Sequence, residues 1–242
     1  MHATHLRRYS LILLLSVTLP LATLPIAKGQ AEPGPSFRTG AVDPLKLLPA
    51  PSLLGTEEMK AELELVLRVQ ENRTPQEIER VRSEAEFRLP AFQRVLGSWL
   101  TAENCPKLDA LFVRLEKEGK KYTGPAKKYF NRPRPFNADD RVKPLLTEDG
   151  NGYPSGHSMR GILFATILAE LAPDKKDALL ARGREIGWGR VIAGVHFPSD
   201  VAAGRTLGQA LAQELLSNPA FRDEFAQIRE EFEGVRKRQV GR

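Results

Sequence analysis

The chain has 242 residues, 41% hydrophobic and 27% charged, with a formal net charge of +6, four histidines and one cysteine. That is enough for one well-buried domain, and a lone Cys105 excludes an intrachain disulfide, so the fold rests on its core. No cysteine or histidine cluster has metal-ligand spacing, and no basic stripe interleaved with aromatics marks a nucleic-acid surface.

From the start of the chain, Arg7 and Arg8 precede an uncharged run from Tyr9 to Ala27, and Gly29-Gln30-Ala31 follows with small residues. This predicts a secretory signal peptide over residues 1–31, cleaved after Ala31, and a periplasmic or secreted mature chain. An uncleaved anchor is the alternative, because the run approaches the ~20 residues of a spanning helix. Removing residues 1–31 takes away Arg7, Arg8 and Lys28 and no acid, so the charge falls to +3. No second apolar stretch is long enough to cross a bilayer, so no integral membrane segment is expected in the mature chain.

Residues 32–54 are rich in proline and predict an extended arm, and residues 55–242 predict one all-α domain. Thr56 caps a helix ending near Asn72, with Leu63, Val66, Leu67 and Gln70 on one side. Thr74-Pro75-Gln76-Glu77 has the form of a capping box with proline at the first helical position. Further helices are expected at about 91–100, 107–117, 155–171, 173–192, 199–216 and 219–233. Nothing alternates with a strand's period.

Beyond the leader only His157 and His196 remain of the four histidines. They stand in Pro154-Ser155-Gly156-His157 and Arg190-x5-His196-x3-Asp200, downstream of Lys127-x6-Arg134-Pro135. Each segment alone has an ordinary reading, as a basic helix end, a turn with a helix cap, or a surface pair. Together they suit a phosphoryl group held without a metal. Lys127, Arg134 and Arg190 are fixed cations, Ser155 is an N-cap that leaves backbone donors at the helix start, and Gly156 permits close approach. One imidazole can attack phosphorus while the other protonates the departing oxygen. Asp200 lies four residues beyond His196, where it can hold one ring nitrogen protonated and aim the other, which makes His196 the nucleophile and His157 the general acid. Arg132 is read as a rim cation.

These motifs resemble the type 2 phosphatidic acid phosphatase superfamily, whose signature is Lys-x6-Arg-Pro, Pro-Ser-Gly-His and Ser-Arg-x5-His-x3-Asp. Within it, Asn131-Arg132-Pro133-Arg134-Pro135-Phe136, Gly152 to His157 and His196 to Val201 are most similar to the soluble class A bacterial acid phosphatases. The resemblance spans roughly residues 47–232 and implies a helical bundle shared with vanadium haloperoxidases. It carries phosphate binding onto Lys127, Arg134, Ser155, Gly156 and Arg190, the leaving-group acid onto His157, the phosphorylated nucleophile onto His196 and the orienting carboxylate onto Asp200. The implied partner is a small phosphate ester, with no cofactor, no metal and no nucleic acid, and the resemblance permits a homodimer. Three departures stand out: Gly189 replaces the serine of the third motif, Asn151-Gly152 precedes Tyr153, and Ser158 follows His157. A vanadate-dependent haloperoxidase and a non-catalytic binder of phosphate ligands are the competing readings.

Overall fold

The computed structural model describes Phe37 and residues 40–240, so the expected signal peptide lies outside the described residues. Among them there is no strand, as the missing period-two alternation predicts. The α-helices are α1 (Pro44–Leu47), α2 (Glu57–Glu71), α3 (Pro75–Ser83), α4 (Gln93–Leu96), α5 (Pro106–Phe130), α6 (Pro135–Ala138), α7 (Gly156–Leu171), α8 (Lys176–Ile192), α9 (Pro198–Ser217) and α10 (Arg222–Val240). Short 3-10 turns at Leu89–Phe92, Pro173–Lys175 and Pro219–Phe221 lead into α4, α8 and α10.

The local signals for α2 and α3 act as expected. Thr56 Oγ1 accepts from the Met59 N–H at 3.3 Å, and Thr74 with Glu77 closes a reciprocal capping box. Of the stripe on α2, Val66 and Leu67 are buried, while the Gln70 amide turns aside to hold the Arg141 carbonyl and the Lys143 N–H. In the arm, Phe37 and Leu48 are buried in the core, and the Tyr153 hydroxyl donates to the Pro49 carbonyl.

Three expected boundaries are wrong, one of them the end of α10, which runs to Val240 and not to Glu233. The helix placed at 91–100 stops at Leu96, because Gly97 takes φ +109°. Conversely α5 runs thirteen residues past the expected Lys117, through Gly119, Gly124 and Pro125. Gly119 is a seat for a neighbour here and not a breaker: a Cβ there would lie 2.6 Å from Met159 Cε of α7. The start of α5 has no local side-chain cap, and its Lys107 and Leu108 N–H groups are held instead by the Glu231 carboxylate of α10.

α7 is the central helix, apolar nearly all round, and packs on α5, α8 and α9. Phe112 of α5 stacks on Phe164 of α7 with centroids 3.9 Å apart, both fully buried. Burying such a ring is worth about 1.5–3 kcal/mol. The crossings with α8 and α9 rest on glycine. A Cβ on Gly161 would lie 2.7 Å from the Gly183 carbonyl oxygen, and one on Gly204 or Gly208 would run into the backbone oxygens of Ser155 and Met159. One side chain extends this close contact to the helix ends, since Ser158 Oγ donates to the Val201 carbonyl at 2.7 Å. The start of α7, the end of α8 and the start of α9 are thereby drawn to one place.

Candidate active site

At that place the eight residues singled out by the motifs come together. Lys127 is in the last turn of α5, Arg134 caps α6, and Ser155, Gly156 and His157 open α7. Arg190 is in the last turn of α8, His196 is in the connection to α9, and Asp200 is in the first turn of α9. The charges of Arg134, Lys127 and Arg190 all act on His196, and that of Arg190 acts on His157 as well.

The environment of His196 defines its tautomer. Its Nδ1 lies 3.2 Å from Asp200 Oδ2, and its Nε2 lies 3.2 Å from Arg134 Nη1. A guanidinium only donates, so Nε2 carries the lone pair and Nδ1 the hydrogen. Burial and the neighbouring cations hold the imidazole pKa well below its ordinary value, which keeps the ring neutral. Asp200 is fully buried and is fixed by two further donors, the Phe197 N–H at 2.9 Å on Oδ2 and Arg132 Nη1 at 2.7 Å on Oδ1. Burial raises the Asp200 pKa, and Arg132 is the largest influence opposing that rise.

Arg132 is therefore not the rim cation expected from the sequence. It is 3% exposed, with Nη1 on Asp200 and Ser199 and Nη2 on Glu62 at 2.5 Å. Glu62 in turn accepts from the Ser199 N–H at 2.6 Å and from its hydroxyl at 2.8 Å. The physical reason is charge: a carboxylate buried as deeply as Asp200 needs a paired cation, and Arg132 is the one within reach. The one hint in the sequence was its place two residues from Arg134, whose motif already pointed to the interior. Glu62 carries no such mark.

His157 is half-buried, with Nε2 2.7 Å from the Ala85 carbonyl oxygen and Phe87 beside it at 5.6 Å between ring centroids. A carbonyl only accepts, so Nε2 carries a hydrogen and Nδ1 is the nitrogen left to gain or lose a proton. Desolvation, then the charges of Arg190 and Arg160, push its pKa well below the ordinary value. Arg160 Nη2 is 3.4 Å from the ring nitrogens and pairs with Glu116. Neither Arg160 nor Ala85 was visible in the motifs. Phe87, with Glu86, Arg88 and Pro90, also lines two surface cavities of about 540 and 660 Å³ on its other sides.

The cations face the same place from other sides. Lys127 Nζ donates to the Asn151 carbonyl at 2.9 Å, and burial followed by repulsion from Arg134 draws its pKa down to about 8. Arg190 is 2% exposed and is drawn down to about 10, chiefly by burial. Its Nε is buried without a partner among the described residues. Ser155 Oγ caps the Ser158 N–H, and the N–H groups of Gly156 and His157 precede the first intrahelical bond. A side chain on Gly156 would meet nothing within 4 Å, so open space lies over that helix start. Gly189 looks elsewhere. A Cβ there would lie 3.4 Å from Val81 Cγ2 and 3.6 Å from Arg80 Nη1, so a serine would address α3 and not Arg190 or His196.

Residues 114–222, which hold all eight positions, match the PAP2 superfamily. A non-specific acid phosphatase of Providencia stuartii is 31% identical over 210 residues, covering 81% of this chain and 84% of that protein. A non-specific acid phosphatase of Salmonella typhimurium is 38% identical over 146 residues, 58% of each chain. A transmembrane PAP2 type phosphatidylglycerolphosphate phosphatase from Bacillus subtilis has a solved structure with a TM-score of 0.48 and 23% identity, covering 67% of this chain and 87% of that one. The family match over residues 114–222 and the extent of the Providencia match agree: the chain belongs to the PAP2 superfamily.

Proposed function

We propose that the chain is a phosphoric monoester hydrolase of the acid phosphatase kind that works through a phosphohistidine. The observation that carries this is the state of His196, a neutral imidazole whose Nδ1–H is held by a buried carboxylate and whose Nε2 lone pair accepts from Arg134 Nη1, a donor that a phosphate oxygen can draw away. That is the arrangement of a nitrogen nucleophile facing an anion.

In the first half-reaction Nε2 of His196 bonds to phosphorus as the ester P–O bond breaks, and Nδ1 of His157 passes its proton to the leaving oxygen. The dianionic phosphate supplies the charge that brings His157 to its protonated form, offsetting Arg190 and Arg160. In the second, His157 takes a proton from water, the water oxygen bonds to phosphorus, and the P–N bond to His196 breaks. Asp200 steadies the imidazolium between the two halves, and Arg134, Arg190, Lys127 and the N–H groups at the start of α7 stabilise the phosphoryl oxygens. An alcohol in place of water gives phosphotransfer. Because the stabilising cations are side chains, turnover is expected to persist in a chelator.

Export is part of the proposal and rests on the sequence of residues 1–31. Among the described residues no helix is long and apolar enough to cross a membrane. The test is release of p-nitrophenol from p-nitrophenyl phosphate in excess chelator, beside His196→Ala, with an alkaline denaturing quench, in which a phosphohistidine survives, and phosphate-specific detection of the phosphorylated protein. Turnover and a labelled protein that both vanish in His196→Ala are expected. Turnover that survives the substitution would overturn the assignment of the nucleophile, and turnover dependent on added metal would overturn the metal-independent cradle.

A further inference from the structure

The cradle already holds an anion of the protein's own. The Glu148 carboxylate bridges its two guanidinium groups, with Oε2 accepting from Arg134 Nη2 at 3.2 Å and Oε1 paired with Arg190 Nη2. Counting the donors of Arg134 shows what this means. A guanidinium has five N–H groups and no acceptor. The Nε–H of Arg134 is on the Gly150 carbonyl at 3.1 Å, and Nη1 serves the Val195 carbonyl at 2.9 Å and His196 Nε2. Nη2 serves the Asp149 carbonyl at 3.1 Å and Glu148. Every donor is used. Three hold loop carbonyls that fix the arginine in place and one caps the nucleophilic nitrogen. The bond to Glu148 is the one that a phosphate oxygen can take over without loosening that frame. Arg190 is in a similar position, since its Nη2 is on Glu148 and its Nε lacks a partner among the described residues.

Glu148 is also placed to leave. It lies in the non-helical stretch between α6 and α7, whose backbone is tied down around it by the Leu145 N–H on the Ala193 carbonyl and by Arg134 on Asp149 and Gly150. Its side chain is 26% exposed, whereas those of Arg134 and Arg190 are 2% and 3% exposed. A turn of the side chain into solvent opens the cradle while the backbone stays where it is.

We infer that Glu148 is an internal competitor for the phosphate site, closing the cradle in the free enzyme and setting its affinity for every phosphate ligand. The inference rests on the phosphatase reading above. Closure multiplies apparent affinity by the fraction of molecules that are open, so a cradle closed in nine molecules of ten weakens binding about tenfold. That factor belongs to the free protein and is the same for substrate and for inorganic phosphate. Returning to the cradle, Glu148 also helps to expel product, so the wild-type enzyme trades affinity for release.

The experiment compares wild type, Glu148→Gln and Glu148→Asp, all full-length, using KM for p-nitrophenyl phosphate and the competitive Ki of inorganic phosphate. In Glu148→Gln both constants are expected to fall together, by about tenfold, while kcat changes far less. Glu148→Asp keeps the charge but is too short to bridge both guanidinium groups, so its constants are expected to follow those of Glu148→Gln. Unchanged constants in Glu148→Gln, or a rise in Ki, would overturn the inference, the rise because it would make Glu148 a support for the arginines. Constants that fall for Glu148→Gln and stay at wild-type values for Glu148→Asp would overturn the bridge in favour of a diffuse charge effect. A wild-type protein that neither turns over ester nor binds phosphate would instead overturn the phosphatase reading itself.

Discussion

Arg132→Met is the substitution that tests most directly whether the interior charge cluster is built around Asp200. Methionine retains much of the arginine's length and apolar stem but withdraws the cation from a carboxylate that is 0% exposed and 2.7 Å away. Removing one partner of a buried pair costs about 3–5 kcal/mol, because the other charge is left unpaired. For a domain of this size that lowers the melting temperature by about 6–20 °C. Glu62, at 16% side-chain exposure, can recover water and adds little to the loss. The effect on catalysis has its own signature. Burial already raises the Asp200 pKa and Arg132 is the foremost influence holding it down, so without Arg132 the carboxyl keeps its proton to higher pH. A protonated Asp200 no longer fixes the Nδ1–H of His196, and a nucleophile misplaced by about 1 Å costs about 10²-fold in rate. Calorimetry and a pH profile of kcat read both effects. The acid limb of the profile should move to higher pH in Arg132→Met. A variant that melts with the wild type and keeps its kcat and its acid limb would refute the reasoning.

Three further outcomes follow from the geometry. In the free enzyme the His157 pKa is depressed and Lys127 titrates at about 8, so the alkaline limb of kcat/KM should lie at lower pH than that of kcat, and KM should rise above about pH 8; coincident limbs would contradict both assignments. Gly189→Ser should leave kcat within about threefold of wild type and stability within about 1 kcal/mol, since its side chain would meet α3 and gain a little helix propensity; a large rate gain measured on p-nitrophenyl phosphate would show that the hydroxyl reaches the site after all. Gly208→Ala, whose Cβ would run into the Met159 carbonyl oxygen, should cost about 1–3 kcal/mol in chemical denaturation, and a neutral result would mean that α7 and α9 slide past each other freely.

What could be read in the sequence was whatever local chemistry decides. Thr56, Thr74 and Ser155 announce helix starts because a capping oxygen acts within three residues, and the structure uses all three. The eight motif residues were legible because their types and order already specify a chemistry. What stayed hidden depends on partners far along the chain. The run of α5 past Gly119 is decided by Met159 of α7, and its start by Glu231 of α10, neither of which leaves a mark near Lys117 or Cys105. Arg132 looked like a rim charge because its partners, Glu62 and Asp200, are 70 and 68 residues distant. Glu148 belongs to no motif and acquires its meaning only when Arg134 and Arg190 are seen on either side of it.

The glycine crossings of α7 with α8 and α9 have a consequence for how such an enzyme can change. Backbones in direct contact leave no slack: a larger residue at Gly161, Gly183, Gly204 or Gly208 separates helices whose ends carry His157, Arg190 and Asp200, and so disturbs the reaction before it reshapes any preference for substrate. The connection between α3 and α4 is under no such restraint, and it brings Ala85 and Phe87 against His157. New selectivity should therefore be sought by grafting or randomising that connection, with the helical frame and the loop that holds Arg134 and Lys127 left untouched as a common chassis.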